Sequence, residues 1–315
     1  MPPSYMIFPE TWSFRENGGT IENMRTYVLL NPAAGHSDPE EIRRLLSEKL
    51  PQPQWQVEIR ETTPEDDVAQ LARDAIENGA GLICPAGGDG TVSKVVDALV
   101  GTEAQLGIIP AGTTNALAQA LEIPRQIEGA LEVIANSGRR VQLDAIELDG
   151  HYYVLGVGVG LSATTMEKTK REDKQRFGEA AYVWTVLKEL AGWQPRRYTL
   201  QIDGKQINVS AADVLLANAG VLTGSLKWGE HIQPDDGRID LCVVRARNAV
   251  NYAGLLLDVL RRRQWNNRHI QFFVVTESVK ISAGVPVPVT GDGEIIGHTP
   301  LEARIVKHAV TVLVP

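Results

Sequence analysis

The sequence predicts an α/β domain, with a parallel sheet and flanking helices, followed by a mostly antiparallel β-sandwich domain. Over residues 24–140, short apolar runs alternate with stretches of helical length, which is typical of βαβ units around a parallel sheet. Over residues 141–308, runs of strand length follow one another, and the pairs Asp149-Gly150 and Asp203-Gly204 are signals of hairpin turns. Residues 1–23 have little periodicity and are expected to be an extension.

Each element of the first domain has a local signal. Strands are predicted at residues 27–30, 57–59, 82–84 and 106–109. The first helix is expected to begin at Pro39, because Asp38 can cap the backbone there and Glu41 completes a capping box. The following helices are expected to begin at 63–64, at Thr91 or Val92, and near Thr114.

The second domain is predicted to consist of strands interrupted by two helices. The strands are expected at residues 141–148, 152–155, 198–202, 207–209, 214–217, 239–244, 272–275 and 310–314, and the helices near 179–190 and 249–264. A G-x-G-x-x-A pattern at residues 158–163 follows a strand, but no βαβ unit surrounds it. We therefore interpret this pattern as close backbone packing and not as a dinucleotide site.

Composition and charge disfavour several classes of protein. The 315 residues are 43% hydrophobic and 22% charged, which is ordinary for a folded chain of about two domains. The formal net charge of −8 argues against non-specific binding of nucleic acid, which needs many cations against the phosphates. Two cysteines, and histidines without an HExxH pair, provide neither a disulfide framework nor a zinc-hydrolase signature. No stable protein partner is implied, and a homodimer is left open.

The expected location is the cytoplasm. No apolar run reaches the ~18 residues needed to span a bilayer. The residues before Met24 lack the apolar segment of a signal peptide, and Met24 itself is an alternative start.

Three glycine-containing loops follow predicted strands of the first domain. They are Asn31-Pro32-Ala33-Ala34-Gly35, Gly87-Gly88-Asp89-Gly90-Thr91 and Pro110-Ala111-Gly112-Thr113-Thr114-Asn115. Ligands of α/β sheets bind at the carboxyl ends of the strands, and glycines let backbone N–H groups approach phosphates closely. The helix after the second loop adds an N-terminus that attracts anions. The loops therefore predict a phosphate-binding site, although the sequence has no GxxxxGK[ST] motif of P-loop proteins.

Four motifs occur in a characteristic order along the chain. They are Asn31-Pro32-x-x-Gly35, Gly87-Gly88-Asp89-Gly90-Thr91, Pro110-x-Gly112-Thr113-x-Asn115 and Asp292-Gly293-Glu294. With these motifs the sequence resembles the diacylglycerol kinase catalytic-domain family, which includes bacterial YegS-type lipid kinases and sphingosine kinases. The resemblance extends over residues 25–315 and includes Asn218 and the acidic turn 234–240. It implies ATP- and Mg²⁺-dependent phosphorylation of a lipid hydroxyl, with diacylglycerol as the expected acceptor, in a cleft between a nucleotide-binding domain and a sandwich.

The resemblance also implies a role for individual residues. Those that would hold ATP are Asn31, Pro32, Ala33, Ala34, Gly35, Thr62, Gly87, Gly88, Asp89, Gly90, Thr91, Val92, Ser93, Lys94, Gly112, Thr113 and Asn115. Thr62 is preferred to Thr63 because it fits the family's strand end without a gap, although either can serve. A structural Mg²⁺ would be held by the Asp236 carboxylate and by backbone oxygens of Gln233 and Arg238. A C-terminal strand at 309–315 is expected to return to the first domain.

Two carboxylates are candidates for the general base. Phosphoryl transfer to a hydroxyl needs a carboxylate that accepts the proton, and Glu294 matches the family's catalytic base. Gly291 and Gly293 would let its turn project into the cleft. Asp89 is the alternative: because a carboxylate beside a phosphate is repelled, it either takes the proton or holds the Mg²⁺ that bridges the ATP phosphates.

Two departures from the family pattern concern the acceptor. Val92-Ser93-Lys94 stands where the family usually has a hydrophobic residue followed by Asn-Glu, and Lys94 can pair with a phosphate or with Asp97. Ala116 follows Asn115, where bacterial members often have Asp. Two alternatives remain. One is an NAD-kinase-like enzyme with a soluble acceptor, since NAD kinases share the GGDGT motif, but the late Gly-Asp-Gly-Glu and the PxGTxN loop disfavour it. The other is a catalytically silent nucleotide- or lipid-binding protein, which the Ser93-Lys94 departure leaves open.

Two stretches are candidates for contact with a membrane surface, which a kinase for a bilayer lipid must touch. One is the basic run at 168–176, and the other is an apolar helix that ends in Arg261, Arg262, Arg263 and Trp265. Leucines facing a core and cations complementing a helix dipole would produce the second pattern as well. We expect peripheral attachment, with the 261–265 edge as the preferred docking stretch.

Overall fold

The computed structural model of the chain describes residues 24–35, 38–136, 139–168, 195–223, 226–227, 232–246, 251, 254–255, 258 and 267–315. The predicted extension 1–23, the helix near 179–190, the basic side chains of 168–176 and the 261–265 edge lie outside the described residues. Of the helix predicted near 249–264, the four described residues are helical: Asn251, Gly254, Leu255 and Asp258. None of the helices in the described parts is long and apolar enough to cross a membrane.

The first domain alternates strands and helices. Its elements are β1 (Arg25–Leu30), α1 (Pro39–Lys49), β2 (Gln56–Glu61), α2 (Val68–Glu77), β3 (Leu82–Gly87), α3 (Asp89–Leu99), β4 (Gln105–Leu106), β5 (Ile109–Pro110), α4 (Ala116–Ala120) and α5 (Ile127–Asn136). β1 pairs in parallel with β2 and β3, and β3 pairs in parallel with β4 and β5. The predicted parallel sheet is confirmed.

Helices cover both faces of this sheet. Alternate residues of a strand point to opposite faces. Leu29 of β1 lies in a core with residues of α2 and α3, while its neighbours Val28 and Leu30 lie in a core with residues of α1 and α5. Because both faces are buried, β1 is apolar on consecutive positions and does not alternate with polar residues.

The second domain contains mostly strands. They are β6 (Arg140–Leu148), β7 (His151–Tyr153), β8 (Gly156–Gly160), β9 (Arg196–Ile202), β10 (Lys205–Ala211), β11 (Asp213–Ala217), β12 (Val221–Thr223), β13 (Leu226–Lys227), β14 (Ile239–Val244), β15 (Ile270–Val275), β16 (Ser278–Ala283), β17 (Pro288–Gly291), β18 (Glu294–His298) and β19 (Leu301–Leu313), with a helix α6 (Leu161–Lys168) after β8. A six-stranded antiparallel sheet has the order β15-β14-β11-β8-β17-β18. Its inner side packs on β9 and β16, with Val159 and Leu241 against Leu200 and Ile281. The predicted sandwich is confirmed.

One sheet runs through both domains. Of its eleven strands, eight follow the order β10-β9-β16-β19-β4-β3-β1-β2, and β5, β6 and β7 pair beside that path. The long strand β19 joins the two parts. Near its start Leu301 pairs with Ile281 of β16, and near its end Thr311 and Val312 pair in parallel with β4. The last strand of the chain therefore lies in the sheet that contains the ends of β1, β3 and β5.

Two helices begin at other residues than the sequence predicts. α2 begins at Val68 and not at 63–64, because the Asp67 side chain caps it and accepts the N–H of Gln70 at 3.0 Å. α3 begins at Asp89, before Thr91, because Gly88 takes the extended conformation of an N-cap. An aspartate is favoured in the first turn of a helix by the helix dipole. Asp89 and Gly90, which by residue type favour a turn, thus belong to the helix.

The G-x-G-x-x-A pattern at 158–163 joins β8 to α6. A Cβ on Gly160 would overlap the carbonyl oxygen of Ala212, and one on Gly158 would lie 2.8 Å from the hydroxyl of Thr290. Close backbone packing is therefore confirmed, but the start of α6 within the pattern is not indicated by the sequence. The strand predicted at 106–109 is also divided, into β4 and β5.

Candidate active site

Three loops of the first domain meet at the carboxyl ends of β1, β3 and β5. Asn31, directly after β1, donates its side-chain N–H to the Thr91 hydroxyl at 3.2 Å and its backbone N–H to the Ala86 carbonyl at 2.9 Å. Its Oδ1 accepts the N–H of Ala33 at 3.0 Å. Parallel strands end at one edge of a sheet, so the first two predicted loops are in direct contact.

Glycines let the loops touch through their backbones. A Cβ on Gly112 would overlap the Cα of Gly88, and one on Gly35 would overlap the carbonyl oxygen of Ala111. Gly35 also has φ +58°, a conformation that side chains other than glycine rarely adopt. The three loops therefore form one surface on which backbone groups are accessible.

The first turn of α3 provides the donors for an anion. The N–H groups of Thr91 and Val92 bond to the Gly88 carbonyl at 3.0 and 3.1 Å. Gly88 has no side-chain cap, and in the described part of the chain no partner bonds the N–H of Gly88 or Gly90. A helix start leaves such donors unsatisfied, and its dipole favours a negative charge. This geometry suits the oxygens of a phosphate.

Asp89 connects the second loop to the third. Its Oδ1 accepts the N–H of Ala116 at 2.6 Å, at the start of α4. Burial raises the pKa of Asp89, and N–H groups of Ala116, Leu117 and Asn115 act in the opposite direction. The carboxylate therefore has a structural partner in the first domain, a contact that the sequence reasoning did not indicate.

The third loop is closed by Asn115. Its Nδ2 donates to the Gly112 carbonyl at 2.7 Å and its Oδ1 accepts the Gly112 N–H at 3.0 Å, while its backbone has φ +51°. Thr113 is exposed at the tip of this loop.

Thr62 follows β2 at the same edge of the sheet. It is only 5% exposed, and its hydroxyl faces the Leu30 carbonyl at 3.4 Å. Thr63 is exposed, but its N–H bonds to Asp66 at 2.7 Å. Of the two threonines, Thr62 is the one joined to the end of β1.

Glu294 lies over the first turn of α3. It is the first residue of β18, at the tip of the β17–β18 hairpin, and it is exposed. Its Oε1 lies 3.1 Å from the position that a Cβ on Gly90 would occupy. The structure thus brings the late Gly-Asp-Gly-Glu motif of the second domain onto the glycine-rich helix start of the first.

Ser93 and Lys94, which depart from the family pattern, have different surroundings. The Ser93 hydroxyl donates to Oδ2 of Asp292 at 3.1 Å. Lys94 is exposed and has no ion pair with a described residue. Asp97 is not its partner, because the Asp97 carboxylate accepts the N–H of Tyr152 at 3.0 Å and faces His151 at 3.4 Å.

The acidic turn, which the resemblance assigns to a structural Mg²⁺, has Arg238 at its carboxylate in this structure. Asp236 is bonded on both oxygens by Arg238, at 2.8 Å from Nε and 3.2 Å from the backbone N–H. Burial raises the pKa of Asp236, and the guanidinium of Arg238 opposes this. The described residues contain no group of three or more His, Cys, Asp or Glu placed to hold a metal ion. A site built from one carboxylate and the backbone oxygens of Gln233 and Arg238 would not be such a group, so the Mg²⁺ assignment stays a prediction.

A further residue of this site, Asp292, is not assigned a role by the sequence. Its carboxylate bonds Ser93 of the first domain and three backbone N–H groups of residues 154–156. The Asp-Gly pair before Glu294 signals a turn, but it does not indicate what the aspartate contacts.

Comparison with known proteins relates these features to a family. The chain matches the diacylglycerol kinase catalytic domain over residues 25–147 and the YegS C-terminal NAD kinase beta sandwich-like domain over residues 156–314. A Bacillus subtilis diacylglycerol kinase is 27% identical over 298 residues, which cover 92% of this chain and 96% of that protein. An uncharacterized protein of Synechocystis is 30% identical over 305 residues, covering 92% and 70%.

Solved structures have the same fold. A crystal structure of a diacylglycerol kinase from Bacillus anthracis superposes on this chain with a TM-score of 0.75 at 21% identity. The superposition covers 92% of this chain and 97% of that one, so both domains and their arrangement are shared.

Proposed function

The chain belongs to the diacylglycerol kinase catalytic-domain family, and we propose that it transfers the γ-phosphate of ATP to the hydroxyl of a lipid alcohol. Diacylglycerol, which would give phosphatidate, is the acceptor we expect, because a relative named diacylglycerol kinase matches over most of both chains. One observation supports the proposal above all others: the Glu294 carboxylate faces the helix start that suits a phosphate.

The three loops and α3 are proposed to hold ATP. The N–H groups of Gly88 and Gly90, which have no side chain of their own, would bind phosphate oxygens. Lys94 lies one turn beyond Gly90 on the same face of α3, and its ammonium, which has no ion pair among the described residues, would add a positive charge. Mg²⁺, when bound with ATP, neutralises charge on the phosphate oxygens and thereby stabilises the transition state.

Glu294 is proposed as the general base. Its carboxylate accepts the proton of the lipid hydroxyl while that oxygen forms its bond to the γ-phosphorus. The bond from the γ-phosphorus to the bridging oxygen breaks, and ADP leaves. Glu294 is exposed and can be reached by an acceptor. Asp89 is less suited to this step, because its Oδ1 is bonded to Ala116; we assign it to joining two of the loops.

Peripheral contact with a membrane remains part of the proposal. A kinase whose acceptor sits in a bilayer must bring its cleft to the lipid surface. The preferred stretch, 261–265, and most of the basic run 168–176 lie outside the described residues, so their contribution is an expectation from the sequence alone.

The proposal is tested by following labelled γ-phosphate from ATP into a panel of acceptors. Diacylglycerol, phosphatidylglycerol, sphingosine and ceramide are offered in mixed micelles, with NAD as the soluble control. E294Q and D89N are assayed beside the unaltered protein. We expect label in one lipid, strong loss in E294Q, and a smaller loss in D89N that accompanies weaker ATP binding.

Two results would replace the proposal. Label in NAD would make the protein an NAD-kinase-like enzyme. No label in any acceptor, with ATP still bound, would favour a silent nucleotide-binding protein.

A further inference from the structure

The carboxylate of Asp292 is held by four donors from two parts of the chain. Oδ1 accepts the N–H groups of Leu155 and Gly156 at 2.9 and 3.0 Å, and Oδ2 accepts that of Val154 at 3.1 Å. The fourth donor is the hydroxyl of Ser93, at 3.1 Å from Oδ2. In return, the N–H of Asp292 donates to the Gly156 carbonyl at 3.0 Å.

The segment 154–156 is bonded on its other side as well. It leads from the end of β7 into the first residue of β8, where the match to the catalytic domain has ended and that to the sandwich domain begins. The Val154 carbonyl accepts the side-chain N–H of Asn218 at 2.8 Å, and the Leu155 carbonyl accepts its backbone N–H at 3.1 Å. Asn218 is fully buried. Asp292 is therefore anchored to a segment that cannot easily move.

The turn after Asp292 has little freedom. Asp292 and Gly293 have φ +46° and +87°, which is the backbone of a tight hairpin turn with two left-handed residues. A Cβ on Gly291 would overlap the ring of Tyr153, so that ring packs directly on the backbone before the turn. Glu294 follows immediately, and its position depends on where this turn is held.

We infer that Asp292 is a positioning residue for Glu294. By bonding Ser93 on α3 and the segment 154–156 at once, it holds the Glu294 carboxylate over the first turn of the helix that suits the phosphates. Ser93 lies three residues beyond Gly90, within the same helix. The catalytic part of this inference rests on the proposed lipid kinase reaction, whereas the positioning itself does not.

The chain contains a matched control for this arrangement. Asp203 also precedes a glycine in a hairpin turn, with φ +45°. Its carboxylate accepts the N–H groups of Thr276, Glu277 and Ser278 and the hydroxyl of Thr276, at 2.9 to 3.0 Å. Its N–H donates to the Ser278 carbonyl at 2.9 Å. The hydrogen bonds are equivalent, but Asp203 lies in the β9–β10 hairpin and not beside Glu294.

The test compares D292N, D203N and S93A in lipid phosphorylation and in amide hydrogen exchange. An amide cannot accept at its nitrogen, so D292N loses part of the bonding without a change of size. We expect kcat to fall on the order of 100-fold in D292N, with the KM for ATP within about twofold, because displacement of a catalytic group by ~1 Å costs this much. S93A, which removes one donor and retains the fold, is expected to lose about tenfold.

The rate of amide hydrogen exchange shows whether the turn at 292–293 is held in place, and it does so independently of activity. In D292N the amides of 293–296 should exchange faster, and in D203N they should not, while D203N keeps kcat within about twofold of the unaltered protein. Unchanged exchange at 293–296 in D292N would overturn the positioning, even if no lipid is ever phosphorylated. If the amides of 293–296 exchange faster in D292N while kcat is undiminished in both D292N and S93A, the positioning of Glu294 has no effect on catalysis, and that part of the inference is overturned. Failure of the unaltered protein to label any lipid would contradict the proposed function and leave the exchange result to decide the positioning.

Discussion

Asp203 and Asp292 accept equivalent sets of hydrogen bonds in different surroundings. Burial tends to raise the pKa of Asp203, but the hydrogen bonds from residues 276–278 outweigh it and lower the pKa below its ordinary value. For Asp292, burial dominates and raises the pKa, although Gly156, Val154, Leu155 and Ser93 act in the opposite direction. Two similar turns therefore differ in the protonation state that folding favours.

These two shifts predict opposite effects of pH on the corresponding variants. A carboxyl with a lowered pKa contributes stability above its ordinary pKa, and this is lost as the pH falls. One with a raised pKa contributes stability below its ordinary pKa, and this is lost as the pH rises. In urea unfolding at about pH 3.5 and about pH 7, D203N should therefore destabilise more at the higher pH and D292N more at the lower pH. The same pH trend in both variants would contradict the assignment.

The sequence indicates these residues only in part. An Asp-Gly pair predicts a hairpin turn from local conformational preference, and the turn predicted at Asp203-Gly204 is present. The hydrogen-bond partners of the two aspartate side chains cannot be predicted in this way. Ser93 and Asp292, for example, are 199 positions apart in the sequence. No local pattern encodes such a contact, because it depends on how the two domains are joined.

At the scale of elements, the site depends on backbone contact between loops. Gly88 precedes α3 and Gly112 precedes α4, and the two glycines touch where a side chain would separate them. Asp89 bonds the start of α4 from the start of α3. The two helix ends are thus fixed relative to each other by small residues and one carboxylate.

We predict that G112A separates these loops. A Cβ on Gly112 would overlap the Cα of Gly88, and this overlap cannot be relieved by a flexible side chain. The free energy of unfolding should fall by about 1–3 kcal/mol, and ATP should bind about tenfold more weakly in calorimetric titration.

G284A is the matched control for that substitution. A Cβ on Gly284 would meet no atom within 4 Å. Its effect on the free energy of unfolding should stay within about 1 kcal/mol. Equal ATP affinity in G112A and the unaltered protein would show that contact between the loops is not needed for binding.

Helix starts were predictable only where the cap was unambiguous. α1 begins at Pro39 as predicted, and the Asp38 side chain caps it by accepting the Glu40 N–H. For α2, both Thr63-Pro64 and Asp67 are suitable starts by residue type. The choice depends on Thr63 bonding Asp66 in a preceding turn, which the sequence does not reveal.

At the scale of the whole molecule, the two domains share a sheet. β19 pairs with β16 and β6 in the sandwich and with β4 in the first domain. Its last residues are buried, with Val312 and Leu313 at most 1% exposed. The last strand of the chain is therefore packed into the sheet of the first domain.

Removal of residues 309–315 should destabilise the first domain as well as the second. The deletion exposes β4 and removes Val310, Val312 and Leu313 from two cores. We expect the single cooperative unfolding transition of the unaltered protein, followed by calorimetry, to be lost. Deleting the exposed Pro315 alone is the control and should preserve the transition. A truncated chain whose first domain still melts cooperatively would contradict a shared sheet as the source of stability.

Domain class was predictable from hydrophobic periodicity, because βαβ alternation and serial strands have different patterns along the chain. The sheet that crosses from one domain to the other was not predictable from this periodicity. The pairing between β19 and β4 joins segments about 200 residues apart, and no local sequence pattern indicates it. Only the family resemblance pointed to the return of the last strand.

The most direct test of the central claim is to measure lipid phosphorylation and ATP binding on the same preparations of the unaltered protein and E294Q. Glutamine keeps the size of the side chain over Gly90 but cannot accept the proton. We predict that kcat falls on the order of 100-fold or more, while the Kd for ATP stays within about twofold. An undiminished kcat in E294Q, or a parallel loss of ATP binding, would contradict the role of Glu294 as the base facing the phosphate-binding loops.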